Sequence, residues 1–312
     1  MSLTRRQMIG AVAATTAVAS TTAAQNPAPA APADPFIYCL NTSTIRGQNL
    51  PITDEIDLAA KAGYQAIEPW LSELQTYVKN GGDLRDLAKR ISDAGLRVPS
   101  AIGFAEWIVD DEAKRKQGLE NARRDMDMVR AIGGTRIAAP PSGATNQNDL
   151  SLTRAADRYR ELLEIGGRIG VVPMVEVWGF SRSLSRLGEC AMVAIEAKHP
   201  QACILADVYH LHKGGSGFEG MKLLAAASMH VFHMNDYPAQ PGRGEITDAH
   251  RVYPGDGVAP LPSLLRELRQ TGYRGVLSLE LFNREYWKQD PLMVARTGLD
   301  KMRAAVRESL QK

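Results

Sequence analysis

Cysteine is scarce in this 312-residue chain, which holds Cys39, Cys190 and Cys203 and no others. An odd, sparse set in a chain this long is no disulfide framework. Cys39 and Cys203 fall in apolar segments and read as small core residues. A surplus of either charge is also missing. Arg5 and Arg6 are the only charged side chains among the first 24 residues, and with them set aside acidic and basic residues balance. Proteins that hold nucleic acid by its phosphates carry a basic excess, so that class of partner is not expected. After the N-terminal segment no apolar run approaches the ~20 residues of a membrane-spanning helix, and no stable membrane anchor is expected. No GxGxxG follows the first strand-like segment, which removes the dinucleotide signature of an open doubly wound sheet. No dedicated phosphate cradle is visible.

What is present begins with Arg5-Arg6 ahead of an apolar segment, Met8–Ala19, and a run of small residues. This pattern predicts a twin-arginine-type signal over residues 1–24, cut near Ala24, and export to the periplasm. A disordered Ala/Pro arm is the alternative. Residues 25–35 form a Pro/Ala linker, and 36–312 are predicted as one domain. With 44% hydrophobic and 23% charged residues, that stretch supports a single large core.

The domain alternates strand and helix patterns. Strands are predicted at Phe36–Leu40, Tyr64–Glu68, Arg97–Gly103, Thr135–Ala139, Val171–Val177, Ala202–Ala206, His230–Met234 and Gly275–Leu281. Helices are predicted from Thr53, as cap, to Ala62, then over Asp83–Ala94, Asp111–Ile132, Ser151–Ile169, Leu184–Lys198, Gly217–Ala227, Leu261–Thr271 and Pro291–Leu310. Leu84, Leu87 and Ile91 share one helical face, and glycines at 63, 95 and 133 stop their helices. Eight such units predict an α/β fold, a single (β/α)8 TIM barrel.

Four of the predicted strands end in metal-binding side chains: Glu176, Asp207, His233 and Glu280. His210 and Asp236 follow close behind the middle two. Barrel enzymes keep their chemistry at the C-terminal ends of their strands, so these four side chains are expected to face one centre. Three carboxylates and one imidazole would repel there without a cation. The set fits one divalent metal ion, Mn2+ or Mg2+ foremost, with Co2+ or Zn2+ also compatible. Such an ion can chelate a hydroxy-ketone and acidify the carbon between its oxygens. Glu176 and Glu280, each ligand and proton carrier, would then remove and return the proton.

The segments DVYHLHKGGS (207–216), HMND (233–236), RVYPGDG (251–257) and LSLELFNREYW (277–287) resemble the sugar isomerase/epimerase superfamily with a xylose-isomerase-like barrel, and most of all its inosose-isomerase branch. The resemblance covers the chain from about Phe36. It implies metal positions at Glu176, Asp207, His233 and Glu280, and a histidine beside the metal at His210. It also implies a basic residue for a substrate oxygen at Arg251 and an acidic residue meeting the sugar at Glu68. One departure stands out: Val-Trp-Gly-Phe follows Glu176 where epimerases often carry Asn-Arg. Trp178 makes that wall flatter and suited to stacking on a ring.

The expected activity is isomerisation or epimerisation of a keto sugar or keto-inositol through an enediolate. Alternatives are a dehydratase or lyase for a 3-keto-glycoside or inosose, and an exported, non-catalytic carbohydrate-binding protein. The expected partner is a small-molecule keto sugar or cyclitol. Homo-oligomers stay open.

Overall fold

The computed structural model describes residues 35–311, so the twin-arginine segment and nearly all of the linker lie outside the described residues. Seven parallel strands are formed: β1 (Ile37–Asn41), β2 (Ala66–Glu68), β3 (Arg136–Ala139), β4 (Val172–Glu176), β5 (Ile204–Asp207), β6 (Met229–Met234) and β7 (Val276–Leu279). Their order is β2-β1-β7-β6-β5-β4-β3. The stretch predicted as the third strand, Arg97–Gly103, makes only single parallel bridges, Ala66↔Arg97 and Trp70↔Ile102 toward β2 and Ala101↔Ile137 toward β3. Pro99 lies inside it, and a proline has no N–H to give to a ladder. The segment still stands between β2 and β3 and closes the ring as its eighth stave.

Nine α-helices accompany the strands: α1 (Ile52–Ala62), α2 (Leu71–Lys79), α3 (Leu84–Asp93), α4 (Glu112–Ala131), α5 (Leu152–Ile169), α6 (Leu187–Glu196), α7 (Val208–Gly214), α8 (Leu261–Gln270) and α9 (Pro291–Leu310) among the described residues. Asp83, Asp111 and Ser151 cap α3, α4 and α5, their side chains accepting from Arg85, Lys114 and Arg154 N–H, which meets otherwise unpaired first-turn donors. At α1 the expected cap does not form. Pro51 takes the N-cap position at φ −67° with no side-chain hydrogen bond, and Thr53 falls inside the first turn.

Two helices were not expected. In α2, Glu73 reaches back to accept from the Trp70 N–H at 2.9 Å. The seven-residue α7 is too short to display a 3.6-residue period, and the helix expected over Gly217–Ala227 is instead two short 3-10 turns, Glu219–Leu223 and Ala226–Ser228. Gly215, at φ 73°, ends α7 in the left-handed region where a side chain is strained. No helix among the described residues is long and apolar enough to cross a membrane.

The core has two parts. Inside the barrel, Cys39, Ala66, Ile102, Ala138, Met174, Cys203, Leu205, Val231 and Val276 form one cluster, with at least one residue from each of the eight staves. This is the side-chain plug of a closed barrel. The larger cluster lies between strands and helices and includes Leu40, Ile56, Ile67, Tyr159, Phe232 and Leu279. Cys39 and Cys203 are core residues, and all three cysteines are free and buried.

Candidate metal centre

Strand side chains alternate between the two faces of the sheet. The residue two places after a plug residue therefore also points inward, one layer nearer the C-terminal rim. Met174 is followed so by Glu176, Leu205 by Asp207 and Val231 by His233. Val276 is followed by Ser278 and then Glu280. Cys39 leads to Asn41 and Ala66 to Glu68. The polar layer rests on the apolar plug, and all of these side chains are buried.

Asp207, His233 and Glu280 each offer one donor atom within 4.8 Å of the others. His233 Nδ1 lies 3.2 Å from Glu280 Oε2 and 3.8 Å from Asp207 Oδ2, yet it has no hydrogen-bond partner. Glu176 stands outside this tightest trio. It ends β4, is 3% exposed, and its Oε2 is buried without a partner. Buried polar atoms are almost always satisfied, so the unpaired atoms on His233 and Glu176 fit a cation. Electrostatics agree. Burial pushes the Glu176 carboxyl well above the usual range, and the carboxylates of Glu280 and Asp207 add to the push. Burial would lower His233, but Glu280 and Glu68 outweigh it and raise its pKa. Glu280 is lowered, because His233 and Arg251 overcome its desolvation. Negative charge is in excess here, and a divalent ion would neutralise it.

Glu68, expected at the sugar, is fully buried, and its Oε2 is 3.0 Å from His233 Nε2. The same oxygen accepts from Ser278 Oγ at 2.6 Å and Asn41 Nδ2 at 3.0 Å. A carboxylate on the far nitrogen fixes the imidazole tautomer and leaves Nδ1 free to ligate. Arg251, expected at a substrate oxygen, is 1% exposed. Its Nη1 donates at 2.8 Å to both Asp207 Oδ2 and Glu280 Oε2, and Asp248 takes its Nε and Nη2. His210 opens α7, where its N–H donates to Asp207 Oδ1 at 2.7 Å. One carboxylate oxygen of Asp207 thus caps a helix while the other faces the centre. Burial lowers the His210 pKa, against the pull of Asp207. His210 Nδ1 accepts from the Gly179 N–H at 3.3 Å, and its Nε2 lies 3.1 Å from Arg251 Nη2. A side chain at Gly179 would collide with the His210 carbonyl oxygen.

Trp178 is half-buried in an aromatic wall, 6.0 Å from Phe104 and 4.9 Å from Phe180 between ring centroids. Asp236 is not at the centre. Its carboxylate accepts from the Tyr237, Gly255 and Ala259 N–H groups and holds the 253–259 turn.

Three residues escaped sequence reasoning. Asn235 Nδ2 donates to Asp207 Oδ2 at 2.8 Å. Asn41 joins Glu68 to Glu280 through one amide, at 3.0 and 3.3 Å. Ser278 holds Glu68. The available signal was a polar residue on the inward register of an otherwise apolar strand.

Fold and site together define a barrel enzyme with a candidate divalent-cation site on its C-terminal rim. Residues 56–305 match the xylose isomerase-like TIM barrel family, and the chain belongs to it. It is 25% identical to an inosose isomerase of Bacillus velezensis, over 88% of this chain and 98% of that protein. It is 22% identical to a 3-dehydroshikimate dehydratase of Pseudomonas putida, over 74% of this chain and 36% of that one. A solved structure of an IolI protein with a bound zinc atom superposes with a TM-score of 0.80 at 22% identity, covering 87% of this chain and 98% of that chain. The relatives of this chain thus include isomerases and a dehydratase.

Proposed function

We propose that this protein is a divalent-cation-dependent isomerase or epimerase of a keto sugar or keto-inositol. The observation that carries the reading is the convergence of Asp207, His233 and Glu280 within 4.8 Å, with His233 Nδ1 unpaired beside both carboxylates. Asp207, His233, Glu280 and Glu176 would hold the ion. Mn2+ or Mg2+ suits the oxygen-rich set, and the zinc of the IolI structure keeps Zn2+ in view. When bound, the ion supplies the positive charge that makes the carbon beside a ketone acidic.

The chain's own residues do the remaining work. Glu176 ends β4 and Glu280 follows β7, on either side of the two staves that carry Asp207 and His233. A substrate carbon between them has a carboxylate on each flank, one to take its proton and one to return it. Arg251 and Asn41 fix the Glu280 carboxylate from two sides, and Glu68 fixes His233. Trp178 and its neighbours wall the outer face of the site.

Elimination is the second reading, favoured by the dehydratase relative. It shares the first proton abstraction and then expels a β-substituent. The twin-arginine pattern supports export, which would put a periplasmic keto sugar or keto-glycoside within reach. The test is incubation of metal-loaded protein with 2-keto-myo-inositol and 3-keto-glucosides in D2O. Isomerisation or epimerisation is expected to place solvent deuterium on the recovered skeleton, whereas elimination releases water or aglycone. Glu280→Gln should abolish exchange. Absence of exchange with every keto substrate, or full activity in that variant, would overturn the assignment.

A further inference from the structure

The rim above the centre carries a closed circuit of rings. Trp70 lies 5.9 Å from Phe282 and 5.0 Å from Phe104. Phe104 leads to Trp178, Trp178 to Phe180, and Phe180 to His210 at 5.7 Å. Arg251 completes the circuit, 3.1 Å from His210 Nε2 and with its guanidinium carbon 5.0 Å from the centroid of Phe282. These residues follow the ends of β2, the third stave, β4, β5, β6 and β7, so the circuit encircles the opening over Asp207, His233 and Glu280.

The circuit is uneven. His210 and Arg251 are 3% and 1% exposed, whereas Phe104 and Phe180 are 41% and 46% exposed. These two are the aromatic members among the exposed large hydrophobic residues of the described chain, and both flank Trp178. Guanidinium groups stand over Trp70 and Phe282, but among the described residues none stands over Phe104, Trp178 or Phe180. Trp178 in contact with a phenylalanine on each side, both of them exposed and without a cation over them, forms an apolar platform that marks a ligand contact. The keto edge of the substrate has to descend to Glu176 and Glu280. A hydrated sugar hydroxyl gains little on the rings above, whereas a flat apolar group does.

We infer that the substrate is a keto-glycoside whose aglycone is aromatic, with the sugar at the carboxylates and the aryl ring seated on Phe104, Trp178 and Phe180. This rests on the proton-abstraction reading above and narrows it to a substrate class. Each aromatic contact of this kind adds up to about tenfold beyond the area it covers.

The experiment compares metal-loaded protein on benzyl and methyl 3-keto-β-D-glucosides, whose alcohols leave with similar ease, by kcat/KM for deuterium exchange or aglycone release. The benzyl substrate is expected to lead by roughly 10- to 100-fold. Phe104→Ala with Phe180→Ala should bring the ratio toward one, and Phe104→Tyr with Phe180→Tyr should keep it. Equal kcat/KM in the wild type, or an undiminished ratio in the double alanine variant, would overturn the inference. Calorimetric titration with the unreactive benzyl and methyl β-D-glucosides separates the two claims. An aryl preference in binding without any exchange leaves the platform standing and removes the reaction, whereas exchange without aryl preference does the reverse.

Discussion

Replacing Glu68 by glutamine tests whether the candidate centre is built to hold a cation. In the wild type, Glu68 Oε2 takes three donors: His233 Nε2 at 3.0 Å, Asn41 Nδ2 at 3.0 Å and Ser278 Oγ at 2.6 Å. Its Oε1 has no partner. A glutamine can keep its oxygen toward the three donors and place its amide where Oε1 stood, so the shape survives and the charge does not. His233 loses the carboxylate that makes Nδ1 a strong donor. Loss of such a supporting carboxylate typically weakens metal affinity ~10–100-fold, which is about 1.4–2.8 kcal/mol. Competition with a chromogenic chelator, run with both Zn2+ and Mn2+, measures the change directly. The metal-free variant should melt close to the metal-free wild type, which separates ligation from folding. Unchanged affinity for both ions would refute the arrangement in which Glu68 orients a metal-binding His233.

Two further outcomes follow from other parts of the chain. Glu55 is 2% exposed, with Oε2 unpaired; burial, then Glu73, push its carboxyl up to about 9. Because the folded state keeps a proton that the unfolded chain releases, this stability is present in and below the ordinary carboxylate range. It declines as pH rises and is gone above about 9. Glu55→Gln should therefore stabilise the protein by on the order of 1–3 kcal/mol at pH 8 and by little at pH 4.5 in urea denaturation; an equal gain at both would contradict the argument. For the N-terminal segment, Arg5→Lys together with Arg6→Lys should leave the protein in the cytoplasmic fraction, and undiminished periplasmic recovery would show that the pair is not an export signal.

Much of the barrel is legible residue by residue. Short apolar runs ending in Glu176, Asp207, His233 and Glu280 place those side chains at the C-terminal rim, because period-two alternation carries the inward register from plug to site. Legibility fails where a local rule is interrupted or a segment is short. Pro99 reduces the third stave to isolated bridges, and α7 is less than two full turns. It fails again for partners far apart in the chain. Glu68 and His233 are 165 residues apart and Glu68 and Ser278 are 210 apart, and neither pairing leaves a local pattern.

The sequence by itself determined which side chains point into the barrel and at which end, since backbone geometry alternates faces whatever the neighbours are. Only the tertiary structure decided what each of them touches. It set Glu68 against His233 Nε2, drew Arg251 between Asp207 and Glu280, and brought the rings that follow five staves together with Arg251 on one rim. Those contacts depend on strand order and register around a closed sheet, and the spacing of residues along the chain does not encode them.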